Sequence, residues 1–246
     1  MISKNQIKFI RSLELKKNRK RESLFVAEGP KVIEELLKLK TPHTIIATKE
    51  WIDNNPKISN IIEVSERELE SASLLKTPQQ VLALFAIETT EQDLNIDNNK
   101  LYLALDGIQD PGNLGTIIRI ADWFGIDTIY CSNETVDVYN PKVIQATMGS
   151  IARVKVVYTD LCSLISNLSD EMPVYGTFLD GSDIYKNELT PNGIIVMGNE
   201  GKGIKKELKS LITNKLLIPS FSIGDTAESL NVAIATAITC SEFKRR

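Results

Sequence analysis

Histidine and paired cysteine are nearly missing from this chain of 246 residues. Its one histidine, His43, stands in "TPHTII", and its three cysteines, Cys131, Cys162 and Cys240, lie far apart with no C-x-x-C pair. An odd, dispersed set of thiols excludes a disulfide framework, and without a second histidine there is no zinc-ligand pattern and no histidine-based catalytic pair. No apolar run approaches the roughly 20 residues of a membrane span, and the opening residues are too polar for a signal peptide. The expectation is a cytoplasmic, soluble protein without metal. Also absent are the P-loop G-x-x-x-x-G-K-[ST] and the dinucleotide fingerprint G-x-G-x-x-G, which sets the common nucleotide-dependent enzymes aside.

What is present suits folded domains: 42% of residues are hydrophobic and 25% charged. The net charge is −3 with a pI of about 5.4, so bulk charge does not make the chain a generic nucleic-acid binder. Its distribution is uneven. Residues 1–22, "MISKNQIKFIRSLELKKNRKRE", hold eight Lys and Arg against two Glu, a local +6. Apolar Ile7, Ile10, Leu13 and Leu15 among these cations predict a helical stripe with a basic face over 4–21.

Downstream, strand-like and helix-like stretches alternate: "SLFVAEG", "PKVIEELLKLK", "TIIAT", "IIEVS", "ERELESASLL" and "QVLALFAI". They form a small α/β domain over residues 1–88. The polar, acidic "ETTEQDLNIDNNK" that follows, with no periodicity, is assigned as a linker over 89–100. From 101 to 246, short apolar strands ("LYLALDG", "TIYCS", "VKVVYT", "VYGTFLD", "GIIVMGNEG", "KLLIPS") separated by helices predict a mostly parallel sheet covered on both faces. Loops at the carboxyl ends of such strands are where ligands bind.

Three such loops carry polar residues. In "DGIQDPGNLGTIIR", Asp110-Pro111-Gly112-Asn113 has turn chemistry, Asn113 can cap a helix and Arg119 follows on it. In "MGNEGKGI", Gly198, Gly201 and Gly203 allow close backbone approach while Glu200 and Lys202 add charge. In "IPSFSIGDTAESLNVAIATAI", Glu228, Ser229 and Asn231 stand at the mouth of a small-residue helix. Each alone reads as an ordinary cap or turn. Together, in this order along one sheet edge, they are far more specific.

On these segments the chain resembles the SpoU (TrmH) family of RNA 2′-O-ribose methyltransferases. "NLGTIIR" is similar to the family's N-x-G-x-x-x-R, "MGNEGKGI" to its G-x-E-G-x-G, and "IPSF…ESLNV" to its third motif. "NPKVIQATMGSI" resembles the segment between them, and residues 3–36, "SKNQIKFIRSLELKKNRKRESLFVAEGPKVIEEL", resemble the substrate-binding domain that precedes the catalytic one. The resemblance implies a carboxyl-terminal trefoil knot, a homodimer and an S-adenosylmethionine pocket. Thr177, Leu179, Gly198, Glu200, Gly203, Ile218 and Leu230 would hold the cofactor, and Asn113, Arg119, Glu200, Ser229 and Asn231 would form the catalytic cluster. Lys17, Arg19 and Lys20 of the basic segment are assigned to RNA phosphates. Ribosomal RNA is the expected substrate. Transfer RNA methylation, or an RNA-binding assembly factor without catalysis, stands as the alternative. The loop from Ser220 to Glu228 is longer than the family's compact version, which leaves its cofactor contacts open.

Overall fold

The computed structural model describes residues 2–88, 96–169, 171–222, 224 and 229–245. Part of the expected linker and Glu228 lie outside the described residues. In chain order the first elements are α1 (Lys4–Ser12), α2 (Lys16–Glu22), β1 (Leu24–Glu28), α3 (Pro30–Leu37), β2 (Pro42–Ala47), α4 (Lys49–Asn54), β3 (Ile61–Glu63), α5 (Glu66–Ala72) and β4 (Val81–Ala86). Then come β5 (Leu101–Asp106), α6 (Pro111–Trp123), β6 (Thr128–Cys131), α7 (Pro141–Thr147), β7 (Lys155–Tyr158), α8 (Leu161–Ser166), β8 (Val174–Asp183), β9 (Gly193–Gly198), α9 (Lys206–Lys209), β10 (Asn214–Leu217) and α10 (Val232–Arg245). They form two compact units, residues 1–89 with 137–153, and 90–136 with 154–246.

The first unit holds a four-stranded sheet, β1-β4-β2-β3, in which β4 runs antiparallel to both neighbours and β2 parallel to β3. The single basic helix expected over 4–21 is instead two, α1 and α2, broken at Leu13–Leu15. The break buries Leu13 completely and exposes carbonyls that a continuous helix would have used. Asn18 Nδ2 donates to Ser12 O at 2.7 Å, and Arg19 Nη1 donates to Leu13 O at 2.8 Å and to Glu14 O at 2.6 Å.

The second unit is a six-stranded sheet in the order β10-β8-β9-β5-β6-β7, with every pairing parallel. Its central strands, "LYLALD" and "GIIVMG", are buried along almost their whole length, as strands covered on both faces must be. The chain winds outward from β5 to β7, then returns to the other side of β5, so the topological switch point lies between β5 and β9. Helix α10 packs on α6 and β9, with Thr236, Thr239 and Cys240 fully buried. Phe243, near its end, meets Tyr175 edge-on at 4.8 Å between ring centroids.

Candidate active site

At the switch point the register places Asp106, the last residue of β5, opposite Gly198, the last of β9. The loops leaving these two strands therefore start side by side. After β5, Asp110 caps α6: its carboxylate accepts the Asn113 N–H at 2.8 Å, with Pro111 at the first helical position. The sequence offered Asn113 as the cap; the cap is instead Asp110. Asn113 sits one turn in, and its side chain is free for other work.

That side chain joins the three loops. Asn113 Nδ2 donates to Glu200 Oε1 at 3.0 Å, while Asn113 Oδ1 accepts from Asn231 Nδ2 at 2.9 Å. Asn231 Oδ1 in turn caps α10, accepting from Ala233 N at 2.9 Å and Ile234 N at 3.3 Å. The relay has a fixed polarity: orphan N–H groups of a helix N-terminus, two amides oriented in series, and a carboxylate at the end. Each carboxylate oxygen of Glu200 has one amide donor, Asn199 Nδ2 lying 3.4 Å from Oε2, so lone pairs on both remain open.

The Arg119 side chain is exposed on α6 and has no hydrogen-bond or ion-pair partner among the described residues. Ser229 is exposed two residues before the α10 cap, also without a partner there. The relay thus contains three of the five expected catalytic residues, Asn113, Glu200 and Asn231, and leaves Arg119 and Ser229 outside it.

The residues expected to hold the cofactor lie within β8, at the end of β9 and in the turn after it, just beyond β10 and just before α10. Between β8 and β10 the register jumps, Lys215 facing Gly176 and Leu216 facing Ser182, so residues 177–181 fall out of the ladder pairing. Thr177 and Leu179 lie in that excursion; Thr177 Oγ1 is 3.7 Å from Met197 Sδ, and Leu179 is 75% exposed. Leu230 is half exposed, and Ile218 partly buried just beyond β10. A Cβ on Gly203, whose φ is +67°, would meet nothing within 4 Å, so the space beside its Cα is open, while its N–H and C=O are both bonded to Asn199. Gly198 is different: a Cβ there would overlap the backbone of Gly203 and Ile204, so the chain's own packing requires glycine. Exposed aliphatic side chains at 179 and 230, a partly buried one at 218 and open space at Gly203 fit a group with a flat base and a polar tail, as S-adenosylmethionine is.

Two residues that sequence reasoning passed over support the site. Asn199 Nδ2 donates to Gly107 O at 2.6 Å, and buried Asp106 accepts the Lys205 N–H at 2.7 Å. A carboxylate closing the otherwise apolar run "LYLALD" was the available signal for the second. Lys205 Nζ also pairs with Glu134 at 2.9 Å; this contact holds the Glu134 carboxyl below its usual range and raises Lys205. Of the thiols, Cys131 and Cys240 are buried, and burial pushes Cys131 up and Cys240 up to about 12.

Of the residues assigned to RNA, Lys17 and Lys20 are exposed on α2. Arg19 is corrected: it is 2% exposed, and besides the two carbonyls its guanidinium meets Asp137 at 2.6 Å. A phosphate would have to displace those partners.

Residues 100–241 match the SpoU rRNA Methylase family and residues 4–83 the MRM3-like substrate binding domain. The Bacillus subtilis 23S rRNA (guanosine(2553)-2′-O)-methyltransferase RlmP is 32% identical, with 96% of this chain and 95% of that one covered. Among solved structures, a Porphyromonas gingivalis protein described as an RNA methyltransferase of the TrmH family superposes with a TM-score of 0.89 at 40% identity, covering 100% of this chain and 99% of that one. The AdoMet-bound rRNA methyltransferase of Sinorhizobium meliloti gives 0.86 at 29% identity, covering 100% and 96%. With its three motifs meeting at one switch point and the match spanning both units, the chain belongs to the SpoU rRNA methylase family.

Proposed function

We propose that this chain transfers a methyl group from S-adenosylmethionine to a ribose 2′-hydroxyl of ribosomal RNA. The observation that carries the reading is the Asn231–Asn113–Glu200 relay, which aims a carboxylate with open lone pairs from the carboxyl edge of the sheet. The names of the relatives supply the substrate class. Thr177, Leu179, Gly198, Glu200, Gly203, Ile218 and Leu230 would hold the cofactor, which supplies an electrophilic methyl group when bound.

A ribose hydroxyl is a weak nucleophile until its proton is drawn off. Glu200 accepts that proton, oriented by Asn113 and, through it, by Asn231. Arg119 does not act as a base, because a guanidinium stays protonated in proteins. Exposed and without a partner among the described residues, it is free to bind the neighbouring phosphate in bidentate fashion and to stabilise charge developing on the 2′-oxygen. Ser229 contributes a hydroxyl beside the α10 cap for substrate contact.

The same reading takes residues 1–88 as the RNA-binding domain, joined through 89–100 to the methyltransferase domain 101–246. Lys17 and Lys20 contact phosphates. It includes a trefoil knot formed by the carboxyl-terminal segment and a homodimer in the cytoplasm. Trp123, 86% exposed on α6, and Ile234, 52% exposed on the packed neighbour α10, are consistent with a surface covered by a second copy.

The test is transfer from labelled S-adenosylmethionine to RNA isolated from cells lacking the protein, with nucleoside mass spectrometry and site mapping. The expected result is one 2′-O-methylated nucleoside in ribosomal RNA, lost in Arg119→Ala. Methylation of transfer RNA alone would move the substrate. Tight RNA binding with no transfer, to naked RNA or to ribosomal particles, would leave an assembly factor.

A further inference from the structure

Glu200 lies in the loop after β9 and Asn113 in the first turn of α6, and a single hydrogen bond of 3.0 Å between two exposed side chains is a weak device for holding them in register. The neighbouring residue, Asn199, is built into both loops. Its Oδ1 accepts the N–H groups of Gly201 and Lys202, each at 3.0 Å, and its backbone exchanges two hydrogen bonds with Gly203 at 3.0 and 2.9 Å. Those four bonds fold 199–203 into a tight turn. The remaining group, Nδ2, donates to Gly107 O at 2.6 Å. The amide orientation follows from the network, since a flipped side chain would set its NH2 group against two N–H donors.

Gly107 is held from its other side as well. Its N–H donates to the buried Ser132 Oγ at 2.9 Å, and its φ of +71° is a conformation that favours glycine. Three residues on stands the Asp110 cap that fixes Asn113. The two loops therefore close into a ring. It runs from Gly107 through Asp110 and Asn113, across to Glu200, back one residue to Asn199 and across again to Gly107.

We infer that Asn199 is a positioning residue, which couples the loop carrying Glu200 to the β5–α6 connection that leads into Asn113 by tying its own turn to the Gly107 carbonyl. The inference rests on the methyltransferase reading for its kinetic consequence but not for its structural one. Asn is required because one side chain must present an acceptor to two N–H groups and a donor to a carbonyl. Aspartate keeps the first function and turns the second into a repulsion. Alanine loses both.

The experiment compares amide hydrogen exchange and single-turnover methyl transfer in the full-length wild type, Asn199→Asp and Asn199→Ala. Asn199→Asp is expected to speed exchange across 107–113 at least tenfold while the Gly201 and Lys202 amides stay protected. Asn199→Ala is expected to lose protection in both loops. At saturating cofactor and RNA the transfer rate falls tenfold or more in each variant, with RNA affinity unchanged. Unaltered exchange over 107–113 in Asn199→Asp overturns the inference, whatever happens to the rate. So does faster exchange accompanied by a wild-type rate in an active enzyme. A wild type that methylates no RNA would instead overturn the proposed function, and the exchange comparison would still decide the role of Asn199.

Discussion

Arg19 shows how little a residue's charge says about its task. Within the basic run "KKNRKRE" it looks the same as Lys17 and Lys20, yet it satisfies the end of α1 and pairs with Asp137. Removing one partner of a buried pair costs about 3–5 kcal/mol, whereas exposed substitutions usually stay within about 0.5 kcal/mol. Arg19→Ala should therefore lower the urea midpoint sharply, and Lys20→Ala should leave it in place; equal midpoints would mean that the pair contributes nothing. Glu28 gives a second test. It is buried at the end of β1, accepting from Leu74 N at 2.8 Å and from Ser73 Oγ. Burial raises its pKa, outweighing these hydrogen bonds and the Arg11 charge, which lower it. The folded protein thus keeps this proton to a higher pH than the unfolded chain, and binds more protons between the two values. Across that window the Glu28 contribution to stability must fall as pH rises. Glu28→Gln, which cannot titrate, should remove that component from stability measured against pH. An unchanged slope in the variant would show that Glu28 is not its source.

Elements were more legible than single residues, because long buried strands announce themselves. "LYLALD" and "GIIVMG" read directly as strands, and their carboxyl ends located Asn113 and Glu200. Helix limits were harder where side chains compete with the backbone. Between β9 and β10 only Lys206–Lys209 form a helix. The Lys205 N–H is taken by Asp106, and Ser210 Oγ bonds back to Glu207 O at 2.7 Å. Asn231 was legible as a possible cap, but its second bond to Asn113 was not, since nothing local encodes a partner 118 positions away. The two roles can be separated. Asn231→Asp retains an acceptor for the first turn of α10, favoured there by the helix dipole, but has no donor for Asn113 Oδ1. Its melting temperature should stay near wild type while methyl transfer falls tenfold or more. Asn231→Ala should lose activity and about 1 kcal/mol of stability as well. Full activity in Asn231→Asp would remove the relay from the mechanism.

For the whole molecule, the net charge of −3 leaves attraction to RNA to local features. The division of the chain was only partly legible, because residues 137–153 group with the amino-terminal unit and no change in composition marks them. The basic amino-terminal end is the clearest electrostatic feature, and once Arg19 is set aside, α2 still exposes Lys16, Lys17, Lys20 and Arg21. Cations on phosphates release condensed counterions. Each lost contact reduces the steepness of the salt dependence of binding by about 0.9 on a duplex and about 0.7 on a single strand. Lys17→Glu with Lys20→Glu should therefore weaken RNA binding and flatten the slope of log affinity against log salt by roughly 1.4 to 1.8. Cofactor affinity should not change, since neither lysine is among the residues at the switch point. Titrations of RNA at several salt concentrations, paired with calorimetry of S-adenosylmethionine, read both quantities. If affinity fell with no change in slope, the two lysines would be acting through something other than phosphate contact. If neither moved, α2 would lie outside the RNA interface.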